Sequence, residues 1–428
     1  MLTRIVRSGL LAAATGLTLS ATVTVAAQTS PSMFTPALAA RPDITHALAH
    51  VDATFDAHVA EWIKLTEMPA LSTHEHERAA YIRGELTKLG LTSTVDPVGN
   101  VMARRKGTGG GQTILLAAHM DTVHPMNTNV TVKRLPDGTL HAPGVFDNTA
   151  SVANVLAMLR AMNAAKVTTK GDVILLFTVQ EELGLKGMYY WFDHNPNAAD
   201  VIVATDGELG AVNYGALGIY WSKMKFTAAG AHTLSSTGQP NPARAAAQCI
   251  TDIYTIPLST SDVAAPTVYN VGMLGGGTVV NAISPESWFT VDLRTIDPAK
   301  LKELDTAIMA KCQAAAAAHK VTFTREYIQQ SEAGGRPERL VDRLNGPVVQ
   351  TAVSVLKYLN VPIVPGGEPT PTGSTDANVG VVHGVPSVAI GRTRGGNQHS
   401  LTEWSDIESA KLGTKQLMLV MVALAGVS

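Results

Sequence analysis

From residue 43 onward the chain alternates between two textures. Short runs that are apolar on both faces, at residues 113–118, 173–179, 201–205 and 387–390, are separated by stretches with apolar residues at helical spacing, such as 150–162. A strand without a polar face is one covered by helices on both sides. The pattern therefore predicts an α/β fold built on a doubly wound, mostly parallel sheet. Between about Leu217 and Glu332 the texture changes. A strand at 219–228 is followed by an Ala-rich helix from Pro242, a strand pair near 267–272 and 288–294, a helix over 298–319 and a strand at 321–329. That βαββαβ order makes a smaller α+β sheet of its own. The doubly wound pattern returns near Leu344, so the smaller domain is inserted into the larger one. The predicted parts are a catalytic domain over 43–216 and 336–428 and an insertion over 217–335.

The first residues show another pattern. Arg4 and Arg7 precede an uncharged run over 10–27 that ends in Val25-Ala26-Ala27, the layout of a secretory signal peptide cut after Ala27. Its many Ala, Thr, Ser and Gly residues make it too weakly apolar for a membrane anchor. This predicts a periplasmic or secreted protein with no membrane association after cleavage. Residues 28–42 mix Pro, Ser, Thr and Ala without periodicity and are expected to be a linker.

Composition narrows the chemistry. With 428 residues, 45% hydrophobic and 16% charged, the chain has ample material for two packed domains and is no disordered or fibrous protein. Lys and Arg number 33 against 35 Asp and Glu, a formal charge of −2 that gives no basic field for a phosphate backbone and excludes nucleic acid as a partner. Removing 1–27 takes away two arginines and no acid, leaving 401 residues at −4. Two cysteines rule out a Cys-rich metal cluster, whereas 13 histidines remain as ligands. Cys249 and Cys312 fall on the two helices predicted for the insertion. An oxidising compartment permits a bridge, but two helices on one sheet face can also hold their cysteines beyond the ~7 Å Cα limit, so pairing stays open.

The ends of the apolar strands carry the chemistry. The first leads into His119-Met120-Asp121, the second into Glu181-Glu182, the third into Asp206-Gly207-Glu208, and the fourth into a Gly-rich loop reaching His399; Asp147-Asn148 stands just before a helix. Ligands of open α/β sheets bind outside the carboxyl ends of the strands, so these separated residues converge on one edge. Five such groups can hold two zinc ions around a shared carboxylate. His74, His76, His124 and His383 stand at no strand end in this way and are expected to be solvated. The glycines of 107–111 lack the Gly-Lys-Ser/Thr ending of a phosphate loop and read as a surface turn.

Taken together, His119-Met-Asp121, Gly144-Val-Phe-Asp147, Glu181-Glu-Leu-Gly184, Thr205-Asp-Gly207, the segment from Asn281 through Arg294, Ser374-Thr-Asp-Ala377 and His399 resemble a known family. It is the two-zinc exopeptidase and deacylase family of peptidase T, glutamate carboxypeptidase, aminoacylase and succinyl-diaminopimelate desuccinylase. The resemblance spans nearly all of residues 45–425. It implies that His119 and Asp206 bind one zinc, Glu182 and His399 the other, and Asp147 bridges them; other divalent metals can take the same places. It further implies that Glu181 is the general base and that Asp121 orients the His119 ring. The insertion becomes a lid and dimerisation domain. In it, His232 reaches a neighbouring subunit's site to help hold an oxyanion, while Asn281 and Arg294 contact substrate, the planar fork of Arg294 suiting a carboxylate.

Asn148 stands where the family often has a second Asp. Asp at the position of Asp206 is associated with peptidase T-like and aminoacylase-like members, and Glu with carboxypeptidases and desuccinylases. The expected function is accordingly zinc-dependent hydrolysis of di- or tripeptides by a homodimeric exopeptidase. The alternatives are an N-acyl-amino-acid amidohydrolase or a non-catalytic zinc or substrate binder, the last opposed by the presence of a free base at Glu181.

Overall fold

The computed structural model describes residues 31–258, 267–335 and 337–428. The signal segment, 1–27, and the first three residues of the expected linker lie outside the described residues. The rest of that linker is folded rather than extended. Thr35 caps a short helix, Pro36–Ala39, by accepting from the Leu38 amide, and Pro42 opens the next helix, Pro42–Ala53. Phe34 is buried beside the Tyr358 ring, with centroids 5.3 Å apart. One turn of helix is too short to show a period, and a single aromatic anchor suffices to dock it.

The large domain is built on a seven-stranded sheet in the order Ser93–Val95, Val101–Arg105, Val173–Thr178, Ile114–His119, Val201–Thr205, Ser387–Ile390 and Val212–Asn213. Its four central strands are parallel, and antiparallel strands flank them on both sides. Every residue of those central strands is buried. Alternate positions serve opposite layers. Ile114, Leu116, Val173, Leu175, Phe177, Val201 and Val203 join the core beneath the helices Thr149–Ala164 and Ser409–Ala425. Leu115, Ile174, Leu176 and Ile202 meet Met188, Trp191 and Phe192 of the helix Lys186–His194 on the other side. This two-sided burial is the physical reason for the unbroken apolar runs.

The insertion has an antiparallel sheet in the order Val268–Gly276, Glu286–Thr295, Gly218–Thr227 and Thr322–Ser331. Met224, Phe226, Phe289, Val291 and Leu293 face the helices Pro242–Ile253 and Pro298–Ala318. Those helices lie side by side, which brings Cys249 and Cys312 to a Cα separation of 4.8 Å, and the two form a disulfide. Where the chain enters and leaves the insertion its backbone is tied together, the Gly334 amide donating to the Ala216 carbonyl at 3.1 Å. Among the described residues no helix is long and apolar enough to cross a membrane.

Candidate metal centre

Of the four parallel strands, the first in sequence, Ile114–His119, lies between the second and the third, so the chain adds its next two parallel strands on opposite sides of it. The crevice created by such a reversal opens at the carboxyl ends of the adjoining strands. These ends carry His119 and Asp206. His119 Nε2 lies 3.7 Å from Asp206 Oδ2 and 3.1 Å from Asp147 Oδ1. The other oxygen of Asp147, Oδ2, faces His399 Nε2 at 3.4 Å, and that nitrogen is 3.1 Å from Glu182 Oε1. Asp147 thus turns one oxygen to each imidazole. Ligand atoms of His119, Asp147 and Asp206 lie within 4.8 Å of one another, as do those of Asp147, Glu182 and His399, and those of His119, Glu181 and Glu182.

Each group is held from behind. Asp121, fully buried, has Oδ1 3.4 Å from His119 Nδ1 and accepts from the Glu181 and Glu182 amides and from the Ser72 hydroxyl. It fixes the imidazole and the glutamate loop together. Glu75 accepts from the Gln180 amide at 3.0 Å, and Arg78 donates to the carbonyls of Met120 and Met68. Glu403 accepts from the amides of Gly144, Phe146 and Asp147 and so positions the loop of the shared aspartate. His399 sits between the short paired strands Gly395–Gly396 and Trp404–Asp406, with a left-handed φ of 63°.

The site concentrates negative charge. Burial opposes protonation of His119, yet Glu181, Asp121 and Asp147 more than offset it and hold its pKa well above the ordinary imidazole range. Hydrogen bonds to Asp147 and Glu182 push His399 up to about 10. Burial, then Glu182, Asp206 and Asp376, raise the Glu181 carboxyl well above the carboxylate range, His119 opposing. Asp147 goes the other way: burial raises it, but Arg392 and the two imidazoles bring it well below that range. A cluster of acids that recruits protons and a guanidinium is a cluster that suits dications.

Several of these groups escaped the reading of the sequence. Arg392, only 1% exposed, pairs with both Asp147 and Asp206. It lies two residues past the strand Ser387–Ile390, so the strand-end rule would have found it had cations been considered with acids and imidazoles. Ser72, Glu75 and Arg78 were obscured by their exposed neighbours His74 and His76. His124, expected to be solvated, is buried with Nε2 3.5 Å from Glu403 Oε2; a backbone turn rather than a strand delivers it. Asp376 stands at the start of the helix Ala377–Val382 without capping it and accepts from the Thr178 hydroxyl at 2.5 Å. His383 is exposed and stacks on Phe192.

His232, Asn281 and Arg294 find their partners within the insertion. His232 and Asn281 are exposed neighbours at a small two-stranded ribbon, His232 pairing with Ala282 and the Thr233 amide donating to the Asn281 carbonyl. Arg294 pairs with Asp292 at 3.0 Å and lies over Trp221. Directly opposed residues on paired strands share a face, and the register puts Arg294, Ile219, Trp221, Gln329 and Ser331 on one face at one end of the small sheet. Gly184, just past the glutamate pair, abuts that end: a Cβ there would come within 3.0 Å of Gln329 Cγ.

Residues 115–423 match the Peptidase family M20/M25/M40. The uncharacterized protein YqjE of Bacillus subtilis (strain 168) is 24% identical over 361 residues, covering 77% of this chain and 88% of that protein. Carboxypeptidase G2 of Pseudomonas sp. (strain RS-16) is 24% identical over 346 residues, or 77% and 79% of the two chains. Among solved structures, a tripeptidase from Staphylococcus aureus superposes with a TM-score of 0.69 at 21% identity, over 87% of this chain and 98% of its own. The fold of the two domains is shared with that structure.

Proposed function

The chain belongs to the Peptidase family M20/M25/M40, and from that premise we propose that it hydrolyses amide bonds of small peptides with two zinc ions, acting as an exopeptidase on di- or tripeptides. The observation that carries this is the double use of Asp147, one oxygen toward His119 and Asp206, the other toward His399 and Glu182. A donor set of imidazoles and carboxylates with no thiolate fits zinc. His119 and Asp206 would hold one ion, Glu182 and His399 the other, and Asp147 both. Two bound zinc ions supply a water nucleophile near neutral pH and polarise the scissile carbonyl.

The chain's own residues do the rest. Glu181 neighbours a ligand in sequence and lies in the same pocket, so its carboxylate can accept the proton of the attacking water and pass it to the leaving nitrogen. Asp121 keeps the Nε2 face of His119 turned inward by engaging Nδ1. Arg294, on the face that adjoins the glutamate loop, is suited to a free terminal carboxylate.

Two finer parts of the reading rest on other observations. Homodimerisation through the insertion is supported by the apolar surface of its edge strand and adjoining loops, where Leu234, Met273, Leu274, Val279 and Val280 are exposed. Export to the periplasm or medium is supported by the N-terminal pattern and by a disulfide, a bond favoured in oxidising compartments. The decisive experiment is a matched series of zinc-loaded assays on di- and tripeptides with free, N-blocked and C-blocked ends. Cleavage of free short peptides is expected, with sensitivity to C-blocking if Arg294 reads a carboxylate. A broad panel with no free peptide cleaved overturns the exopeptidase reading, and faster turnover of N-acyl amino acids replaces it with an amidohydrolase.

A further inference from the structure

The two metal positions differ in one respect that the ligand set alone does not show. Arg392 is a buried guanidinium stacked over the Phe146 ring at 4.2 Å. Its Nη1 donates to Asp206 Oδ1, and its Nη2 lies 3.2 Å from Asp147 Oδ1, the same oxygen that faces His119. Asp206 therefore has one oxygen committed to Arg392 and only Oδ2 directed at His119. On the opposite side, Glu182 is paired with His399. Among the described residues Arg392 is the one Lys or Arg that pairs with any of the five candidate ligands.

We propose that Arg392 is a resident counter-cation that makes the two metal positions unequal. It holds Asp206 to one-oxygen ligation and places a fixed positive charge beside the His119–Asp206 position, so that this position binds its ion more weakly than the Glu182–His399 position. A guanidinium cannot give up its proton to relieve the repulsion. It can only be outcompeted. The same contacts hold Asp147 and Asp206 in place when that position is empty, so the second ion enters a site already formed. The inference rests on the two-metal reading of the site.

The test is zinc titration by calorimetry of the chelator-stripped full chain, comparing wild type with Arg392→Gln and Arg392→Lys. Wild type is expected to show two events whose dissociation constants differ by at least tenfold. Arg392→Gln should narrow that ratio at least tenfold by strengthening the weaker event, whereas Arg392→Lys, which keeps the charge, should stay within about threefold of the wild-type ratio. If Arg392→Gln does not fold, single-position variants of the wild-type background replace it. His399→Ala, which leaves the position beside Arg392, should then bind zinc at least tenfold more weakly than His119→Ala, which leaves the other. Two events with a ratio unmoved by Arg392→Gln, or equal affinities in the single-position variants, overturn the role of Arg392 alone. A wild-type chain that binds no zinc overturns the two-metal reading and this inference with it.

Discussion

Glu181 and Glu182 are adjacent in the chain yet face different company. Glu182 is committed to His399, whereas Glu181 lies buried near His119 with a carboxyl that burial and its acidic neighbours push up. Glu181→Gln should therefore lose about 10²- to 10⁴-fold in kcat while retaining its zinc, as read by steady-state assay alongside metal analysis. Loss of metal together with activity would make Glu181 a ligand instead. Asp121→Asn touches no zinc directly but loosens His119 and the glutamate loop at once. It should weaken zinc affinity by about 10- to 100-fold, measurable by competition with a chelating dye. A third prediction concerns stability. His58 is 3% exposed, and its burial, with the Arg160 cation nearby, lowers its pKa to about 4 from 6.5. Between those values the unfolded chain binds a proton that the folded one refuses, so stability falls as pH drops from 6.5 to 4, by about 3 kcal/mol from this group. Urea unfolding across that window should show a slope that His58→Leu reduces. At this scale the residues at strand ends were legible because an unbroken apolar run marks its own terminus. Arg392 stands at such an end too but is a cation, and the reading took only acids and imidazoles there. Glu403 was not legible, since it acts through the amides of the Asp147 loop, whose path no periodicity records.

At the scale of elements, long strands and helices could be read closely. The runs 201–205 and 387–390 are strands with those bounds, and the insertion's four-stranded sheet and two helices follow the βαββαβ order, with the two-residue strands Ala231–His232 and Ala282–Ile283 added to it. Elements of two or three residues could not, because a period needs more than one repeat to show. The strands Thr139–His141 and Trp404–Asp406, which tie the loop of His399 to that of Asp147, belong to this class. The docked helix Pro36–Ala39 escapes for the same reason, its four residues making a single helical turn. The Cys249–Cys312 pairing was undecidable from sequence, since it depends on how closely two helices pack rather than on which residues they carry. Its stabilisation is nevertheless predictable: closing a separation of 63 residues is worth about 4 kcal/mol. A Cys249→Ala/Cys312→Ala double variant should melt at a lower temperature, with the loss centred on the insertion in hydrogen exchange and with zinc content unchanged.

For the whole molecule, the insertion presents an edge strand and apolar loops outward while its opposite contacts reach the glutamate loop. If copies of the chain join through that edge, Leu274→Asp with Val280→Asp should convert the dimer to monomer in light scattering. Activity should fall with it if His232 serves the neighbouring site, and the zinc content should not change. A wild-type monomer with full activity would remove the shared-site idea.

The hydrogen bond between Ala216 and Gly334 carries one more consequence. To the large domain the entire insertion is a closed loop with its ends already joined. Loop closure costs more the longer the flexible chain that must be closed, so an insertion that folds first reduces that cost for the strand Ser387–Ile390 and the closing helix Ser409–Ala425 to that of a short connection. The segment after the insertion, 336–428, is thus expected to gain protection last, after the insertion, when refolding is tracked by pulsed hydrogen exchange.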